Sequence, residues 1–118
     1  MGFRYVLVAG LDDAQVSKET LTCIVAHTRL EEMGGFRCSD ETANTIEKMA
    51  FVANYANFFY FPTDCPHREK NGWTGDTMLS SEQMLTNFGM RAFLTKWSRD
   101  MRTSQRPAGQ IPCVVPST

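Results

Sequence analysis

The chain contains no C-x-x-C pair, no apolar run near the ~18 residues of a membrane-crossing helix, and no excess of charge of either sign. Twelve Lys and Arg against thirteen Asp and Glu leave a net charge of -1, which excludes a global field that would gather nucleic acid or an anionic membrane surface. No charged stretch followed by an apolar core opens the sequence, so nothing signals secretion. Val6 stands where a myristoylation signal requires Ser or Thr. Cys23, Cys38, Cys65 and Cys113 are widely and unevenly spaced, and Cys65-x-His67 is at most half a metal site with no second pair of ligands nearby. Reduced thiols, no metal, no cofactor and a cytoplasmic location are the resulting expectations. What is present is a chain of 118 residues, 42% hydrophobic, enough to build one modest core.

"GFRYVLVAGL", residues 2–11, is rich in β-branched and aromatic side chains and ends at a glycine, so it reads as a strand. Residues 21–38, "LTCIVAHTRLEEMGGFRC", read as one or two more strands broken at Gly34-Gly35. His27 in this region has no partner ligand nearby and reads as an ordinary packed or surface histidine. From Ser39-Asp40 the periodicity becomes helical. Either residue suits an N-cap, and Asp40 and Glu41 place negative charge at the helix start. Ile46, Met49, Ala50, Ala53 and Asn57 fall on one face and are expected to be the packed stripe. The helix should fade at Phe58–Tyr60, before Pro62. Ser80-Ser81-Glu82-Gln83 has the form of a capping box, and the helical pattern runs on to about Gln105. Met90, Phe93, Leu94, Trp97 and Met101 share one side of it, opposite Arg91, Arg99, Arg102 and Arg106. The arginine stripe reads as a solvated face, because it lacks the interleaved aromatics that stack bases. The apolar side changes at Gly89, as in a helix packed between several neighbours.

Between these helices lies "PTDCPHREKNGWTGD", residues 62–76, a loop with three carboxylates, Asp64, Glu69 and Asp76. A surface turn with a half-buried tryptophan would account for it. Proline, two glycines and a tryptophan nevertheless fix the backbone and supply an apolar wall. Carboxylates crowded beside such a wall do not all ionise freely, so one is expected to keep its proton and serve as a general acid. The others, with Arg68, can exchange hydrogen bonds with sugar hydroxyls while Trp73 covers an apolar sugar face. These are the parts of a glycosidase subsite.

That loop, with the downstream "LSSEQM", "TKW" and "IPCVVP" and the upstream "GFRYV" and "VAHTRLEEMGGFRCSD", closely resembles the α-L-rhamnosidases of glycoside hydrolase family 78. The resemblance covers nearly the whole chain. It implies an α+β fragment: residues 1–38 as the last strands of a β-sandwich, and 39–118 as the first long helices of an (α/α)6 barrel. It also implies an inverting hydrolase that removes terminal α-L-rhamnose from glycosides. By motif position Glu69 matches the general acid, and Asp64, Arg68, Trp73 and Asp76 match rhamnose-binding residues. His67 and Lys70 take no assigned role; Thr63, Cys65, Pro66, Gly72, Thr74 and Gly75 shape the loop. Inversion also needs a second carboxylate about 6.5–9.5 Å from the acid, which the resemblance places downstream of residue 118. Twelve barrel helices need roughly 300 residues. The chain by itself is therefore expected to be inactive. The alternatives are a non-catalytic rhamnose-binding remnant or an interaction module, with self-association through exposed apolar surface.

Overall fold

The computed structural model describes residues 3–117. Met1 and Gly2, with the first position of the predicted strand and the N-terminus weighed for acylation, lie outside them, as does Thr118. A short 3-10 turn, Asp13–Gln15, precedes three helices: α1 (Glu41–Ala56), α2 (Thr74–Asn87) and α3 (Arg91–Thr103).

The predicted N-terminal strands do not form. Among the described residues there are only isolated bridges and no strand. Residues 3–11 and 21–38 are mostly solvent-exposed, with Leu7 95% exposed, apart from half-buried His27, Thr28 and Leu30. β-branched composition makes a segment suited to a pleated surface, but a strand exists only against a second one. No described residue offers that pairing to residues 3–11.

Helix α1 starts where its cap dictates. The Asp40 side chain accepts from the backbone N–H of Thr42 (2.8 Å) and Ala43 (3.2 Å), leaving Ser39 outside. The expected packed stripe is corrected by the structure: Ile46 and Met49 are 62% and 66% exposed. Ala53 is exposed as well, while Ala50 and Asn57 of that stripe are half-buried; the inner face is Glu47, Ala50, Phe51, Asn54 and Tyr55, also at helical spacing. Two aromatic rings offer more area to bury than the small residues of the other stripe, and they decide which face turns inward.

The core lies where the end of α1 meets the α2–α3 junction. Phe58, Met84, Phe88, Met90 and Phe93 are buried there, with Leu30, Phe51, Tyr55 and Leu94 packed around them. Phe58 stands edge-on to Phe88 and Phe93, at centroid distances of 5.0 and 5.6 Å. His27 packs on the Tyr55 ring at 4.1 Å, a packed histidine as expected. Two polar pairs join α1 to α2: Asn54 Nδ2 donates to Gln83 Oε1, and Asn87 Nδ2 donates to Glu47 Oε1 at 2.7 Å.

The single helix read from Ser80 to Gln105 is in fact two. Ser80 caps nothing; it lies inside α2, and its hydroxyl donates to the Asp76 carbonyl one turn back at 3.1 Å. The break falls at Phe88–Met90, beside the glycine where the apolar side changes. Backbone groups freed there are taken by residues 31–34, which cross the junction. Met33 N–H donates to Asn87 O (2.8 Å), and Gly89 N–H donates to Glu31 O (2.8 Å). These bonds satisfy the backbone groups they join, although the buried Asn87 Oδ1 beside them has no partner among the described residues. Gly34 fits against α2 only for want of a side chain, since a Cβ there would sit 2.0 Å from Thr86 O. On α3 the expected faces hold: Phe93 and Trp97 are buried, while Arg91, Arg99 and Arg102 are exposed. No helix among the described residues is long and apolar enough to cross a membrane.

Candidate active site

The loop between α1 and α2 is clamped at its entrance, closed on itself in the middle and pinned at its exit. At the entrance Pro62 and Thr63 are buried. Thr63 N–H donates to Asn57 O (3.0 Å), and its hydroxyl donates to Asn57 Oδ1 (2.8 Å). The C-cap residue of α1 thus holds the residue next to Asp64. In the middle Asp64 N–H donates to Asn71 O (2.9 Å), and Asn71 N–H returns to Asp64 Oδ1 (2.8 Å), closing residues 64–71 into a ring. Inside it the Cys65 thiol sulfur accepts from Glu69 N–H at 3.2 Å. Lys70 takes a left-handed φ of 56° to turn the chain, which costs a non-glycine residue roughly 1–2 kcal/mol. The ring's paired hydrogen bonds offset that strain.

The candidate residues separate into two groups. Trp73 Nε1–H donates to Glu69 Oε2 at 3.3 Å, so the proposed acid and the aromatic wall meet. Asp64 and Asp76 line a cleft of about 260 Å³ with Asn54, Asn57, Thr63 and Thr77. Asp76 sits in the first turn of α2, where the helix N-terminus favours its negative charge. Arg68 joins neither group: it is exposed and, among the described residues, makes no ion pair with any of the three carboxylates. The described residues also contain no cluster of three or more acidic, His or Cys side chains able to hold a metal.

Asp64 goes the opposite way from a carboxyl kept protonated by crowding. Partial burial pushes its pKa up. The Asn71 backbone N–H, followed by hydrogen bonds from Cys65 and the residue's own amide, outweighs that and leaves it below the ordinary aspartate range. A carboxyl with a depressed folded pKa stabilises the fold above its unfolded value, and the contribution fades as pH falls through the folded one, here below about pH 4. The Asn71 amide proton is therefore expected to shift in NMR spectra with a midpoint below that of an unfolded aspartate. In Asp64→Asn the shift should vanish. A midpoint at or above the unfolded value would contradict the ring.

Sequence reasoning missed Asn57, Asn54, Asn71 and the tail residues that hold the loop exit. Asn71 had a local signal, since an asparagine before glycine commonly shapes a turn. Val114-Val115, between two prolines, has the composition of an extended pairing segment, but nothing in the sequence says what it pairs with. Asn54 carried no signal, and Asn57 was expected only as part of the packed stripe of α1.

Residues 31–118 match the family described as the bacterial alpha-L-rhamnosidase 6 hairpin glycosidase domain. An alpha-L-rhamnosidase of Formosa agariphila is 37% identical over 117 residues, covering 98% of this chain and 13% of that protein. A solved alpha-L-rhamnosidase from Dictyoglumus thermophilum superposes with a TM-score of 0.75 at 38% identity, over 76% of this chain and 10% of that one. The Streptomyces avermitilis alpha-L-rhamnosidase, solved in complex with L-rhamnose, also gives 0.75, at 30% identity over 78% of this chain and 9% of that one. The chain thus spans about a tenth of the length of these relatives.

Proposed function

Because the chain belongs to the α-L-rhamnosidase family with a six-hairpin glycosidase domain, we propose that it is the proton-donor segment of an inverting α-L-rhamnosidase. The observation that carries this reading is the hydrogen bond between Trp73 and Glu69 on the motif loop. An indole N–H only donates, so it occupies Oε2 and leaves Oε1 to hold a proton and pass it to the departing glycosidic oxygen. Asp64, kept ionised by its hydrogen bonds, and Asp76 accept from sugar hydroxyls in the cleft they share. Trp73 offers its ring to the apolar sugar face, and the unpaired Arg68 guanidinium is free to donate to a hydroxyl. The base that activates water comes from elsewhere in the barrel. Three helices of a twelve-helix domain enclose one side of the site only.

The isolated chain is accordingly expected to release no more than background phenol from a chromogenic α-L-rhamnoside. Turnover that disappears in Glu69→Gln would overturn this. A second reading, a rhamnose-binding module without hydrolysis, is favoured by the cleft being formed already. It requires rhamnose to give calorimetric heat that Asp64→Asn and Trp73→Ala abolish, and a flat titration removes it.

The outer stripe of α1 and residues Met78, Leu79 and Leu85 of α2 are exposed and apolar. Such surface drives the free chain to self-associate. Light scattering should show mass rising with concentration, whereas a monomer throughout would count against this.

A further inference from the structure

The segment after α3 returns to the motif loop. The chain turns through Arg106–Gly109, closed by Gly109 N–H on Arg106 O (2.8 Å) and Arg106 N–H on Gln110 O (2.9 Å), with Gly109 at φ 92°. Residues 113–115 then pair with residues 72–74. Val115 N–H donates to Gly72 O (2.9 Å), and Cys113 O accepts from both the backbone N–H (2.9 Å) and the hydroxyl (3.1 Å) of Thr74. Trp73 and Val114 form the bridge between them. Behind the strap, Val115 is fully buried and its carbonyl accepts from Trp97 Nε1–H at 3.0 Å. Trp97 is 4% exposed, so its donor has no access to water and needs this acceptor.

Trp73 is 37% exposed, too open for packing alone to set the direction of its side chain. Its backbone is held on both sides, at Gly72 and at Thr74, by the same strap. A connected path therefore runs from Trp97 through Val115 and Gly72 to Trp73, and from the indole to the Glu69 carboxylate. We infer that Cys113–Val115, anchored by Trp97, is a positioning strap that aims Trp73 and, through it, Glu69. This rests on the reading of Glu69 as proton donor. Trp97 and the strap touch no substrate in this scheme; they act through Trp73.

The chain has two tryptophans, so the full chain labelled with 5-fluorotryptophan gives two fluorine resonances, which Trp73→Phe assigns. Glu69→Leu removes the acceptor of the Trp73 indole N–H and is expected to move the Trp73 resonance. Trp97→Phe keeps an aromatic ring in the core but deletes the donor to Val115, and it leaves Trp73 as the sole probe. Thr74→Val deletes the hydroxyl donor to Cys113 without touching the core. Both are expected to keep their helical circular dichroism, move the Trp73 resonance toward that of free indole and lose its response to Glu69→Leu. If Trp97→Phe does not fold, Thr74→Val decides alone. An unmoved resonance that still responds to Glu69→Leu overturns the strap. So does a Trp73 resonance that Glu69→Leu leaves where it is in the otherwise unchanged chain. Neither result bears on whether Glu69 donates the proton, because that is decided by turnover of the assembled enzyme with and without Glu69→Gln.

Discussion

Gly72→Ala is expected to unseat the loop exit and destabilise the chain by about 3 kcal/mol or more, at the upper end of what overpacking costs. A Cβ on residue 72 would sit 1.9 Å from Val115 O, 3.0 Å from the Val115 carbonyl carbon and 3.0 Å from Phe61 Cδ2. The first two atoms are backbone, so no rotamer change relieves the clash. Val115 itself is held from behind by Trp97. The pair must separate, and the Val115-to-Gly72 hydrogen bond goes with it, a further ~1 kcal/mol. Gly75→Ala is the matched control. It lies in the first turn of α2 with nothing within 4 Å of an added Cβ, and alanine there should be neutral or stabilise by up to about 1 kcal/mol. Urea denaturation of the two variants should therefore move in opposite directions from wild type. Coincident midpoints would mean that residues 72 and 115 are not in contact.

Phe58→Ala should cost about 3–5 kcal/mol, the range for truncating a buried phenylalanine. Phe58 is fully buried and contacts the rings of Tyr55, Phe88 and Phe93. It sits where α1 ends and the α2–α3 junction begins, so the cavity would open between all three helices. With so few buried side chains, the remaining core has little left to hold them. Thermal melting followed by circular dichroism should show the cooperative transition lowered or lost. Ile46→Ala, on the exposed stripe of α1, should change stability by no more than about 0.5 kcal/mol. Comparable losses in both variants would restore the sequence-based choice of helix face.

Local chemistry was readable from the sequence, and long-range pairing was not. The Asp40 cap, the end of α1 before Pro62 and the buried side of α3 depend on residues a turn or two apart, and the structure agrees with each. Which of α1's two apolar stripes turns inward depended on the rings it would meet, Phe58 and Phe88, and periodicity within one helix carries no such information. The break at Phe88–Met90 showed only as a change of apolar side. Its backbone partners lie some 55 residues upstream, at Glu31 and Met33. The strands were overcalled because composition reports suitability for a sheet and not the presence of a neighbour. In the site, the motif spacing put Glu69 four residues before Trp73, and the two do meet. Asp64 and Asp76 share a cleft, but Arg68 stands apart from both groups. Asn71 and Cys113–Val115 act through backbone groups, which every residue carries, so side-chain chemistry gave no notice of them.

The polar pairs Asn54–Gln83 and Asn87–Glu47 bear on how the cleft can adapt. Both lock the same two helices, about two turns apart along α1, so a slip of one turn would break both pairs at once and leave Asn87 buried without its acceptor. Sliding is thereby closed off as a way of widening the space between Asn57 and Thr77. With the loop backbone clamped at Thr63, Asp64–Asn71 and Thr74 as well, any change in that space must come from the side chains that line it.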